Sequence, residues 1–235
     1  MSASRAELLL LPGLTNDARV WQGVAERLED VARVHVADLT TRETMAELAL
    51  DVLAKAPPRF ALAGLSMGGY CALEIVARAP ERVTALGLVD TSARPDTPEG
   101  RANRAKQIAR APAELAAIVE ELLPKWVHPR RLDDHDVADI VRAMARDAGA
   151  DAFARQQRAI MSRADSRPRL AAIRCPTVVV CGREDVLLPL EVHEEMARGI
   201  PGAKLSVIEA CGHLAPLERP AEVAAALRPL LAPPL

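Results

Sequence analysis

The chain has 235 residues, a formal net charge of −2 and 50% hydrophobic residues, but only 2% aromatics, so its core must be built from Ala, Leu and Val. That size suits one large α/β domain, or a domain carrying an insertion. The mixed charge leaves no basic face to neutralise phosphates, which argues against a nucleic-acid partner. No apolar run approaches the roughly 20 residues of a membrane span, which argues against a membrane partner.

The start, Met1 to Glu7, is short and polar and has no signal-peptide core. Glu7 to Leu11 then reads as a short apolar strand that ends at Pro12-Gly13. Asp17 to Leu28 reads as a helix, with Val20, Trp21, Val24 and Leu28 at helical spacing and Asn16 as its expected cap. Arg33 to Val36 is a second strand, Met45 to Lys55 a helix stopped by Pro57-Pro58, and Phe60 to Ala63 a third strand. Val83 to Val89 is a fourth strand, nearly all apolar, as a strand covered on both faces should be. Thr177 to Val180 and Lys204 to Ile208 are the fifth and sixth, with helices over Glu191 to Arg198 and Ala221 to Leu231. Strands alternating with helices imply a mainly parallel sheet with right-handed crossovers and helices on both faces.

The rhythm breaks once, between Arg94 and Ile173, where no strand pattern occurs. Pro98 to Arg110, Pro112 to Leu123, Asp134 to Asp147 and Asp151 to Arg163 read as four helices. Pro98 and Pro112 fit first-turn positions. The expected division is a core of residues 1–93 and 171–235 and an inserted helical cap of residues 94–170. An insertion that leaves the sheet at a strand's carboxyl end stands where open α/β sheets bind ligands. The alternative is a helical extension that never touches ligand.

Between the third strand and the helix-like stretch Tyr70 to Arg78 lies Gly64-Leu65-Ser66-Met67-Gly68-Gly69. Gly-x-Ser-x-Gly between strand and helix is the pattern of a nucleophile elbow, a sharp turn that lifts a serine hydroxyl away from the sheet. Glycines are needed where a Cβ would clash across that turn. The bland alternative is an ordinary serine in a Gly-rich turn.

A serine hydroxyl needs a base to become a nucleophile. His213 is the candidate, in Ala210-Cys211-Gly212-His213-Leu214 just after the sixth strand. His35, His128, His135 and His193 read as structural or solvent-facing. A base of this kind is oriented by a carboxylate. Asp185 follows the fifth strand in Gly182-Arg183-Glu184-Asp185; Asp90, at the end of the fourth, is its rival, with a backbone-bonding role as the alternative. Ser66, Asp185 and His213 stand in the chain order of α/β-hydrolase triads. Oxyanion donors are expected from the backbone N–H of Met67 and, in Pro12-Gly13-Leu14, of Leu14. Trp126, Leu187 and Leu214 are the expected substrate-pocket residues, each equally readable as core. With no ligand cluster beyond the triad, no metal or cofactor is called for. The four cysteines read as free thiols in a reducing cytoplasm, with a Cys181–Cys211 disulfide as the alternative.

Taken together, the elbow at Ser66, the Cys175-Pro176 lead-in to Gly182-Arg183-Glu184-Asp185, and Gly212-His213 followed by Glu218-Arg219-Pro220 resemble the α/β-hydrolase superfamily, specifically its small cap-bearing esterase and lactonase-like members. The resemblance covers nearly the whole chain. It implies an α/β-hydrolase fold and a serine esterase acting on a small or medium acyl substrate, as a monomer or homodimer. The same residues would also serve a C–C bond hydrolase, an enol-lactonase, a thioesterase or acyltransferase, or a ligand receptor; for a substrate carboxylate, Arg155 and Arg158 are candidates. Dehalogenase and epoxide hydrolase chemistry is disfavoured, because it wants a carboxylate where Ser66 stands. Two departures are evident. Pro12-Gly13 stands where relatives usually have His-Gly, and the leading antiparallel pair of strands is missing, which leaves about six strands.

Overall fold

A computed structural model describes residues 5–231. Its six strands are β1 (Ala6–Leu11), β2 (Ala32–Val36), β3 (Phe60–Leu65), β4 (Val83–Val89), β5 (Thr177–Gly182) and β6 (Lys204–Ile208). All pair in parallel, in the order β2-β1-β3-β4-β5-β6. Each begins and ends within two residues of the bounds expected from the sequence. β3 and β5 are buried along their whole length, whereas the edge strands β2 and β6 are partly exposed. The chain runs outward from β1 to β2, then crosses back to β3 on the other side of β1. The order therefore reverses between β1 and β3, where open sheets form a crevice at their carboxyl ends.

Successive strand residues face opposite sides, so the sheet feeds two cores. Leu8, Leu10, Ala61, Ala63, Leu65, Val178 and Val180 pack on one side with Trp21, Val24, Leu28, Val223 and Leu227. Those partners come from the turn Ala18–Trp21 and the helices α1 (Gln22–Leu28) and α8 (Pro220–Leu227), the last preceded by the short α7 (Ala215–Glu218). Leu9, Leu11, Leu62, Leu86, Leu88 and Val179 pack on the other side with Leu48, Val52, Ile75 and Met196. Those belong to α2 (Met45–Lys55), α3 (Met67–Arg78) and α6 (Leu190–Gly199). The expected helix from Asp17 is a 3-10 turn followed by α1, and its cap is Asp17 rather than Asn16: the Asp17 carboxylate accepts from Arg19 N.

The insertion forms two helical arms, each broken once, so the four expected helices appear as two kinked pairs. α4 (Pro98–Trp126) starts at Thr97, whose hydroxyl accepts from Gly100 N, and is interrupted only at Glu114 (φ −131°, ψ 20°). Pro112, expected in a first turn, lies two residues before that break, where its ring removes one backbone hydrogen bond. α5 (His135–Met161) is broken by Gly149 at φ 78°. Val119, Leu123, Trp126, Val137 and Val141 share the core of the α1–α8 face. The insertion is thus bonded to the sheet's own hydrophobic core.

Close approach of backbone explains two glycines. A Cβ on Gly64 would lie 2.3 Å from Gly68 O, and one on Gly68 would lie 2.2 Å from Leu11 O. This jams β1, β3 and the start of α3 together. Gly68→Ala is therefore expected to cost about 3 kcal/mol through overpacking, read as a lower urea midpoint at unchanged slope.

Candidate active site

Ser66 joins β3 to α3 with φ 52° and ψ −113°, a conformation that L-residues rarely adopt. Such strain persists only where surrounding structure over-determines it. Here Ser66 N donates to Val89 O at 3.0 Å and Thr91 Oγ1 donates to Ser66 O at 2.7 Å. Ser66 Oγ lies 2.8 Å from His213 Nε2, and His213 Nδ1 lies 2.7 Å from Asp185 Oδ2. Asp185 Oδ1 accepts from the amides of Leu187 and Leu188, both at 2.9 Å. An ionised carboxylate can only accept, so Nδ1 carries the proton and Nε2 is left to accept from the serine.

His213 and Asp185 are both nearly inaccessible, at 2% and 3% exposure. Burial alone would lower the imidazole pKa, but the charge and hydrogen bond of Asp185 outweigh it, and the net shift is upward. For Asp185, burial pushes the other way from the imidazole; the His213 interaction wins and the carboxyl is held below its ordinary range.

Asp90 takes the backbone role. Its Oδ1 accepts from Gly182 N at 2.9 Å and its Oδ2 from Ala215 N at 3.0 Å, so it ties the ends of β4 and β5 to the histidine loop. Burial, then the Asp185 charge, raises its pKa well above the usual carboxylate range. His193 is fully buried, not solvent-facing, and burial takes its pKa down to about 4. One ligating atom each of Asp90, Asp185 and His193 lie within 4.8 Å of one another. As a metal site this set fits poorly, since Asp185 is committed to His213 and both Asp90 oxygens are committed to backbone amides.

Gly13 brings the loop after β1 against the serine: a Cβ there would sit 3.5 Å from Ser66 Cβ. Among the described residues, neither the Leu14 nor the Met67 N–H has a protein acceptor. The loop is held from the insertion, where the buried Gln156 of α5 accepts from Thr15 N at 2.8 Å.

A cavity of about 220 Å³ opens on Ser66. Leu14, Leu122, Trp126, Ile160, Leu187 and Leu188 form its apolar wall, while Tyr70, Asp96, Arg104, Gln107, Gln157 and Arg163 form a polar one. Trp126, one of the expected pocket residues, is the last residue of α4 and does line the cavity. Leu214 is buried in the core and does not line the cavity. Arg155 and Arg158 do not line it either; they bind Thr40 O and Glu43 Oε1. A larger hollow of about 420 Å³ beside Leu73, Arg169 and Ile173 contains no member of the Ser66–His213–Asp185 set.

Residues 8–226 match the profile of the alpha/beta hydrolase family. The chain is an alpha/beta hydrolase. It is 26% identical over 224 residues to the pimeloyl-acyl-carrier-protein methyl ester esterase of Nitrosomonas europaea, covering 88% of each chain. Among solved structures it is similar to a malate-bound thermophilic esterase from Thermogutta terrifontis, with TM-score 0.87, 32% identity, and 97% and 90% of the two chains covered. It is also similar to the enol-lactonase of Burkholderia xenovorans LB400, with TM-score 0.85, 25% identity, and 97% and 92% covered.

In this alpha/beta hydrolase the histidine loop is pinned at almost every amide. Cys211 N donates to Glu184 Oε2 at 3.0 Å, Gly212 N to Glu218 Oε1 at 3.0 Å, and His213 N to Trp126 O at 3.0 Å. Glu218 also accepts from His128 N at 2.9 Å, so one buried carboxylate joins the histidine loop to the end of the insertion's first helix. From the sequence, Glu218 is visible only as part of a motif, because its partners are amides whose positions depend on the folded chain. Glu218→Ala strands two buried N–H groups and is expected to cost about 2–4 kcal/mol in urea unfolding, with Glu218→Gln losing about half of that.

Proposed function

We propose that this alpha/beta hydrolase cleaves a carboxylic ester of a small substrate, with Ser66 as nucleophile, His213 as general base and acid, and Asp185 as the group that orients and charges-balances the imidazole. The observation that carries the reading is the unbroken chain of hydrogen bonds from Asp185 through His213 to Ser66, at 2.7 and 2.8 Å. His213 Nε2 takes the Ser66 proton as Oγ attacks the ester carbonyl carbon. The carbonyl oxygen becomes an oxyanion, for which the Leu14 and Met67 amides are the donors. His213 then gives its proton to the departing alkoxide, which leaves as alcohol, and the acyl group stays on Ser66. A water deprotonated by the same nitrogen attacks the acyl-enzyme; the C–Oγ bond breaks, His213 returns the proton to Ser66 Oγ, and the carboxylic acid leaves.

The names of its relatives support the class: this enzyme is a carboxylic ester hydrolase. A small leaving alcohol such as methanol follows from the methyl ester esterase named for N. europaea. Residues 94–170 act in this reading as a cap on a core of 1–93 and 171–235; residues of α4 and α5 that line the cavity support it. Work in the reducing cytoplasm is supported by the four unpaired thiols, of which Cys181 is pushed up to about 12 by burial and so is chemically quiet. No helix among the described residues is long and apolar enough to cross a membrane. The enzyme works as a monomer or homodimer. Similarity to the B. xenovorans enol-lactonase favours a second reading, ring-opening of an enol-lactone by the same three residues.

Ser66→Ala should lower kcat on a p-nitrophenyl ester by about 10³-fold or more without a change in the unfolding midpoint; unchanged turnover would remove the assignment. The pH profile carries a sign. The neutral imidazole is the active form, and its pKa is raised by Asp185. kcat/KM should therefore fall on the acid side with a midpoint above the ordinary histidine value of about 6.5. Asp185→Asn should move that midpoint down and lower kcat by about 10³- to 10⁴-fold.

A further inference from the structure

The polar wall of the catalytic cavity contains three ionic side chains, Asp96, Arg104 and Arg163. One carboxylate therefore faces two guanidiniums. Asp96, whose side chain is only 4% exposed, spends Oδ2 on Arg104 Nε at 3.2 Å and Oδ1 on Arg163 Nη2 at 3.1 Å. Arg163 is fully engaged: its Nε donates to Arg94 O, its Nη1 to Ile160 O, and its guanidinium lies 4.5 Å from the centroid of the Tyr70 ring. Arg104 is not. Its Nη1 donates to Gln157 Oε1 at 2.6 Å, while Nη2 has no protein acceptor among the described residues. Gln157 in turn donates to Gln107 Oε1 at 2.8 Å, which leaves the Gln107 amide nitrogen as a second donor on the same wall.

A partly desolvated cation with an open donor, in a cavity with one surplus positive charge, is complementary to a monoanion. A planar guanidinium matches a carboxylate in both charge and shape. Asp96 would repel a dianion such as a phosphate monoester more strongly than a monoanion. The cavity is small, about 220 Å³, so it suits a short chain.

We propose that Arg104, assisted by the Gln107 amide, binds a free carboxylate carried by the substrate, so that the preferred substrate is the half-ester of a short dicarboxylic acid, with its ester carbonyl at Ser66. This rests on Ser66 being the nucleophile. Arg104 is then a specificity residue that acts through binding, and Arg163 and Asp96 fix its position.

The test compares monomethyl glutarate with methyl pentanoate, which has the same chain length and lacks the carboxylate. The wild-type kcat/KM should favour the half-ester by about tenfold or more, mainly through KM. Arg104→Met should lower that ratio by about tenfold and Arg104→Lys should restore part of it. Free pentanoate, a monoanion, should compete with the half-ester, and pentanamide should not; this arm needs only the wild-type protein. A wild-type ratio near one, a ratio unmoved in Arg104→Met, or equal competition by pentanamide would overturn the carboxylate subsite. Stronger competition by inorganic phosphate than by pentanoate would overturn it in favour of a phosphate. Absence of hydrolysis of both methyl esters and of p-nitrophenyl acetate would instead sink the esterase reading itself.

Discussion

The site depends on an imidazole held still between two partners. A ring that bridges Asp185 and Ser66 at 2.7 and 2.8 Å tolerates little displacement, because hydrogen bonds weaken steeply as distance and angle drift. Its loop is fixed by Glu184, Glu218, Asp90 and the Trp126 carbonyl, each accepting one backbone amide between Cys211 and Ala215. Three of these anchors lie on different elements: the end of β4, the end of α4, and the helix turn that follows the loop itself. Burying carboxylates is costly unless every oxygen has a donor. In Asp90, Glu218 and Asp185 both oxygens do have one, so the cost of burial is offset by rigidity where the chemistry needs it.

The same logic places the serine. β1 and β3 are adjacent at the reversal of strand order, so the loops leaving them meet at one point. Gly64 and Gly68 let the start of α3 press against β1, and the strained Ser66 turn is the result. The insertion completes the arrangement from above. Gln156 holds the loop after β1, Trp126 and His128 hold the histidine loop, and Arg104 lines the cavity between them. Both halves of the site are therefore tied to α4 and α5, and the cavity is shaped by the segment with the least regular sequence pattern.

Local patterns made much of this legible. The strands show as short apolar runs bounded by turn residues, and Ser66 stands in a glycine-bracketed turn that few other structures require. His213 and Asp185 each follow a strand, which brings them to one sheet edge once the sheet is parallel. What escaped the sequence depends on non-local geometry. Arg155 and Arg158 have the same composition and helical setting as Arg104, and only packing decides which of them faces the cavity. His193 lies among charged neighbours in the chain, yet is buried because its face of α6 turns inward. Pro112 suggests the start of a helix, yet the break in α4 comes two residues later, at Glu114.

The most direct test of the account is active-site labelling with a fluorophosphonate, followed by peptide mass spectrometry. The account predicts a single adduct in the tryptic peptide 60–78, on Ser66, forming at least about 10³-fold more slowly in His213→Ala. An adduct on another residue, or labelling of Ser66 at an undiminished rate without the imidazole, would contradict it.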